Sequence, residues 1–178
     1  MRRLTHVDER ERARMVDVGS KSETRRVAVA EGKVTLSAEA YRRVRRNEIA
    51  KGDVLTVAKV AGIHAAKETA RLIPLCHPIG LDAIRVDLSL VAGEQAVRIE
   101  AEAATRAATG VEMEAMTAVA VAALTVYDMC KAVDRSITIG EVRLLRKSGG
   151  RSGEWRREAT NRRPAWSAAP KARRARRV

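Results

Sequence analysis

Residues 109–134 read TGVEMEAMTAVAVAALTVYDMCKAVD, and between Glu114 and Asp128 no residue is charged. Ala, Val, Met and Leu fill that interval without a polar stripe, so a helix here is apolar on every side and has to be covered on every side. Thr109-Gly110-Val111-Glu112 matches a capping box, which predicts Thr109 as the N-cap and Glu112 at the third helical position. The spacing predicts a helix running from 111 to 134.

The segments upstream say what that helix packs on. Ile84, Val86, Leu88 and Leu90 alternate with polar residues, as do Val97, Ile99, Ala101 and Ala103, and Ala92-Gly93-Glu94 lies between the two runs. That is a β-hairpin. Before it, Asp53 is a plausible N-cap for a helix carrying Val54, Val57, Ala58, Ala61, Ala65 and Leu72, ended by Pro74. Ser37 can cap a short helix, AEAYRRVRR. Val27, Val29, Val34 and Leu36 mark extended chain around an expected turn at Glu31-Gly32-Lys33. Ile137, Ile139, Val142 and Leu144 form a last strand, with Gly140 breaking the alternation as a bulge would. The order strand, helix, strand, strand, helix, strand predicts an α+β, ferredoxin-like (βαββαβ) fold: an antiparallel sheet with helices on one face. One sheet covers one side of helix 111–134, so a second subunit is expected to cover the other.

Composition narrows the function. Residues 151–178 hold ten Lys/Arg against two Glu, and the first 150 residues hold 25 against 20. The charge excess therefore concentrates in a tail, expected to be disordered beyond a domain at 1–154. A tail of this kind binds nucleic acid non-specifically, if at all. The preceding chain offers only Tyr41 and Tyr127 as aromatics and has no stacking platform for bases. Cys76 and Cys130 form no CxxC pair, which argues against zinc or a disulfide and for a reducing, cytoplasmic compartment. The charged N-terminal stretch has no signal-peptide core, and the uncharged runs are shorter than a membrane span.

Several residues stand out chemically. Pro74 and Pro78 bracket Cys76 and His77, which reads either as a rigid site segment or as a buried thiol beside a solvated histidine. Glu112 and Glu114 sit at a helix start, and the capping box explains only the first. Asp128 and Lys131 share a helical face. They are a surface ion pair or, if buried as the apolar run suggests, an acid–base pair with retuned pKa values. Lys51, in Ala50-Lys51-Gly52-Asp53, precedes a helix start that favours an anion, or is an exposed loop lysine.

Taken in order, MVDVGSK (15–21), AKGDVL (50–55), LIPLCHPI (72–79), TGVEMEA (109–115), LTVYDMCKAVD (124–134), IGEVRLL (139–145) and KSGGRSGE (147–154) resemble the cyclic pyranopterin monophosphate synthases, the molybdenum cofactor biosynthesis protein C family. The resemblance runs from about Thr5 to Gly153. It implies conversion of 3′,8-cyclo-7,8-dihydroguanosine 5′-triphosphate, supplied by a radical-SAM enzyme, to cyclic pyranopterin monophosphate with release of pyrophosphate. It also implies a homohexamer built as a trimer of dimers, with neither metal nor redox cofactor. Lys51, Asp128 and Lys131 would be catalytic. Leu75, Cys76, His77, Glu112, Met113 and Glu114 would bind substrate, with Lys67 in the same anion pocket and Lys21, Arg26 and Lys147 as phosphate or loop contacts. Clustered lysines would depress one another's pKa, so that one serves as base. His64, Gly80 and Ala108 depart from the family pattern, the last removing a basic residue. Glu114 and Asp128 lie about 21 Å apart along one helix, which agrees with a site shared between subunits. A structural homologue without activity is the competing reading, opposed by the intact Lys51, Asp128 and Lys131.

Overall fold

The computed structural model describes residues 13–158. Its elements are β1 (Thr24–Thr35), α1 (Ala38–Arg46), α2 (Val54–Lys67), α3 (Thr69–Leu72), β2 (Ala83–Val91), β3 (Ala96–Ala107), α4 (Glu112–Cys130), β4 (Thr138–Ser148) and β5 (Trp155–Arg156). The fold is mixed α+β. All strands are antiparallel in one sheet, ordered β2-β3-β1-β4-β5, and the first four are arranged consistently with a ferredoxin-like topology. The fifth strand was not expected. Trp155 and Arg156 pair with Lys147 and Arg146 just past the expected domain boundary; the remainder of the expected tail, from 159 on, lies outside the described residues.

Local chemistry explains most of the boundaries. The Ser37 hydroxyl accepts from the Ala40 amide at 3.3 Å and opens α1. Asp53 accepts from the Thr56 amide at 3.0 Å and opens α2. Both caps satisfy amides that the first helical turn leaves bare. The 92–94 link between β2 and β3 is a single 3₁₀ turn, closed by Gln95 in the left-handed region.

Three expectations change and one holds. The chain does not turn at Glu31-Gly32-Lys33, because β1 runs through it. Gly32 is required across layers: a Cβ there would lie 2.5 Å from Val119 Cγ1 on α4. The expected long helix from Asp53 to Pro74 is broken at Glu68 into α2 and α3, where buried Thr69 turns its hydroxyl back onto the Ala65 and Ala66 carbonyls. Thr109 does not cap α4; the helix starts at Glu112 after Val111, with no side-chain cap, and stops at Cys130. The expected bulge at Gly140 is present, since Lys33 faces Gly140 while Glu31 faces Arg143, and the residue in the left-handed region is Glu141.

The core lies between the sheet and the α2–α4 layer. Val34, Val86, Val97, Ile99, Val111, Val119 and Val126 are its largest fully buried apolar side chains besides Cys130. With so few bulky residues the layers must approach closely, and Gly62 on α2 does this against α4: its Cβ would lie 2.8 Å from the Ala118 carbonyl oxygen. By length and composition α4 could cross a bilayer, but its inner face is packed on the sheet and α2, as a core helix is. It is not covered all round. Leu124 is 58% exposed, and Val57 and Val60 on α2 are also exposed.

Candidate functional site

Two groups of polar side chains sit at opposite ends of α4. At its C-terminal end Asp128 is clamped by two lysines. Lys51 Nζ donates to Asp128 Oδ2 at 2.6 Å, and Lys131 Nζ lies 2.6 Å from Oδ1. Lys51 Nζ also donates to the Asp128 carbonyl at 2.9 Å. That carbonyl is in the last helical turn, where no backbone amide follows to satisfy it and a cation is favoured. Gly52, at φ +98°, turns the chain between Lys51 and the Asp53 cap. Lys131 follows directly on α4, its amide donating to the Tyr127 carbonyl at 2.8 Å. Beyond it, Asp134 accepts from the Ser37 and Ser136 amides, both at 2.8 Å, and ties the end of α4 to the start of α1.

The clamp sets its own electrostatics. Hydrogen bonds from Lys131 and then Lys51 pull the Asp128 carboxyl down to about 2, and the Asp128 carboxylate raises Lys131. Lys131 is therefore held protonated. For Lys131 this corrects the expectation that clustered lysines depress one another: the adjacent carboxylate reverses the sign. The pair is also not buried in one protomer, with side-chain exposures of 54% for Asp128 and 52% for Lys131.

At the N-terminal end a cleft of about 280 Å³ is lined by Val16, Val18, Lys21, Leu75, Cys76, His77, Thr109, Gly110, Glu112, Met113 and Glu114. The connector carrying Cys76 and His77 is anchored where Thr105 Oγ1 donates to the Gly80 carbonyl at 2.6 Å. His77 Nε2 lies 2.7 Å from the Val16 carbonyl. Glu114 is buried, and burial, with a smaller push from Glu112, raises its pKa. The Cys76 thiol is pushed up by burial and then by Glu114, which makes it a poor nucleophile. Gly110 leaves room for the Glu112 carboxylate, which lies over it. The capping role expected of Glu112 is absent, so its carboxylate is available to the cleft.

The remaining expected residues do not line this cleft. Arg26 donates to the Ala107 and Ala108 carbonyls at 3.3 and 3.2 Å and packs against Gly150. Lys147 bonds Ser152 within the same glycine-rich loop. Lys67 does not line the His77 cleft; it lines a separate one of about 420 Å³ with Ile79–Ile84. Lys51, Asp128 and Lys131 are likewise absent from the His77 cleft. The Lys51–Asp128 contact spans 77 positions and carried no sequence signal beyond the resemblance.

Among the described residues no three of His, Cys, Asp and Glu converge as a metal set would. The MoaC family model matches residues 15–150, which include both groups. A cyclic pyranopterin monophosphate synthase of Thermomicrobium roseum is 61% identical over 158 residues, covering 89% of this chain and 95% of the relative. Proteins of the same name from Heliobacterium modesticaldum and Roseiflexus castenholzii are 54% identical over 155 residues and 58% identical over 151, covering 87% and 85% of this chain and 98% and 96% of theirs. This chain belongs to the MoaC family.

Proposed function

We propose that this chain is a cyclic pyranopterin monophosphate synthase, a lyase of molybdenum cofactor biosynthesis. It converts 3′,8-cyclo-7,8-dihydroguanosine 5′-triphosphate to cyclic pyranopterin monophosphate and releases pyrophosphate. The observation that carries the reading, beside the family match, is the Asp128 carboxylate held between two lysine ammonium groups at 2.6 Å.

The chemistry asks for three things. The guanine-derived ring presents N–H donors, which suit the carboxylates of Glu112 and Glu114. The triphosphate needs cations, which Lys21, Arg26 and Lys147 would supply without a phosphate-binding loop, with His77 beside them. Closing the cyclic phosphate breaks the bond between the α- and β-phosphates, and charge grows on the departing pyrophosphate. Lys131, kept protonated by Asp128, can stabilise that charge or donate a proton to it. Asp128, ionised well below neutrality, is a poor base by itself; it holds Lys131 and Lys51 in place and keeps Lys131 protonated. Leu75, Cys76 and Met113 shape the pocket.

The two groups are about 21 Å apart along α4 and cannot serve one reacting centre in one protomer. We place the active site between subunits of a homohexamer, a trimer of dimers. One subunit supplies Lys51, Asp128 and Lys131, and its partner supplies the His77 cleft. The exposed apolar side chains Val57 and Val60 on α2 and Leu124 on α4 support assembly on this face. On this reading the protein works in the cytoplasm, receives its substrate from a radical-SAM enzyme, and needs no further cofactor. The catalytic domain spans 1–154, and the basic tail lies outside it. Incubating the pure protein with the cyclised GTP derivative tests the activity: pterin product and pyrophosphate should appear in equal amounts. Intact substrate after prolonged incubation with folded, assembled protein would contradict the assignment.

A further inference from the structure

One wall of the His77 cleft is not part of the sheet-and-helix frame. Val16, Val18 and Lys21 belong to the stretch before β1, an irregular segment with a tight turn that lines the cleft. The turn holds itself: the Gly19 amide donates to Asp17 Oδ1 at 2.8 Å, and the Lys21 amide donates to the Val18 carbonyl at 3.0 Å. Its hydrogen bond to the cleft's opposite wall is the 2.7 Å contact between His77 Nε2 and the Val16 carbonyl.

A carbonyl oxygen can only accept, so Nε2 must carry the hydrogen. That fixes Nε2 as the donor. With Nε2 committed to Val16, only Nδ1 is left to face a ligand. We infer that residues 16–21 form a strap over the cleft, that the His77 Nε2–H bond to Val16 is its latch, and that His77 is in this respect a positioning residue that brings Lys21 over the ligand. The inference rests on the reading of this cleft as a phosphate-bearing substrate site, but the latch itself is a property of the free protein. An anion in the cleft that engages Lys21 holds the strap from above while His77 holds it from the side, so binding and closure reinforce each other.

Limited trypsin digestion with mass-resolved products reads the strap directly, because Arg14–Met15 and Lys21–Ser22 are cleavable bonds within and beside it. In the free protein, His77→Ala should speed cleavage at Lys21–Ser22 by about two- to tenfold, the range one intramolecular hydrogen bond sets. His77→Gln, whose amide nitrogen reaches the Nε2 position, should restore most of the protection. Asp17→Ala breaks the turn, leaves His77 in place, and should also speed cleavage. Inorganic pyrophosphate should slow cleavage in the wild type and do so less in His77→Ala. With substrate, His77→Ala should raise KM more than it lowers kcat, and His77→Gln should recover much of KM. Equal cleavage of wild type and a folded His77→Ala protein would overturn the latch, as would failure of His77→Gln to protect. If the strap behaves as expected but pyrophosphate gives no protection and no product forms, the reading of the cleft fails and the latch stands.

Discussion

Asp128 is the residue on which the site's charge state turns. Its carboxyl is drawn from 3.8 to about 2 by Lys131 and Lys51, so the sign of the linkage is fixed. The clamp contributes fully above about pH 4 and is lost as pH falls through about 2. A carboxyl-carbon NMR titration should place the Asp128 midpoint near 2 in the wild type, and Lys51→Ala and Lys131→Ala should each move it up. A wild-type midpoint near 3.8 would mean that the clamp does not persist in solution. For catalysis, Lys131→Ala should remain folded and lose turnover by roughly 10²–10⁴-fold, the usual scale for a general acid or base. Asp128→Asn should lose activity as well, because the amide cannot keep Lys131 protonated or clamp both lysines. Near-normal product formation by folded Lys131→Ala would leave the pair as a surface ion pair with no part in the chemistry.

Elements were legible in the sequence where their causes are local. Ser37 and Asp53 were readable as caps because a cap is made within three residues. The alternation of β2 and β3 was readable because each strand has one face to bury. Gly32 was misread as a turn because its reason is Val119, on a helix more than eighty residues away. Thr109 had the spacing of a cap, but the chain enters α4 later, and Glu112 serves the cleft instead of the helix start. Asp128 and Lys131 could be paired from their spacing; Lys51 could not, since a turn and a whole helical layer bring it there. The close α2–α4 crossing gives a further expectation. Gly62→Ala would gain about 1 kcal/mol of helix propensity but press a methyl against the Ala118 carbonyl. Overpacking of this kind costs about 1–3 kcal/mol, so urea denaturation should show a net loss of stability. A gain would mean that the two helices sit farther apart.

On the proposed reading, assembly and active site are one question for the whole molecule. Ala122, in the apolar run of α4, is fully buried inside the protomer, 3.3 Å from where a Gly62 Cβ would sit. A charge there would break the fold rather than the interface. Leu124 is the better position, since it is exposed in the protomer and one helical turn from Asp128. Leu124→Glu should leave the protomer folded by circular dichroism, lower the assembled mass by light scattering, and lower turnover in parallel. A fully assembled and active Leu124→Glu protein would place the interface elsewhere. The shared site itself is tested by complementation. One protomer carries Lys131→Ala; the other carries Glu112→Gln and Glu114→Gln together, and each is inactive when assembled alone. Dissociated, mixed and reassembled, they should recover about a quarter of wild-type turnover, the random-assortment expectation for sites made from two subunits. No activity above that of the separate variants, in mixed oligomers verified by mass, would contradict a site built between protomers.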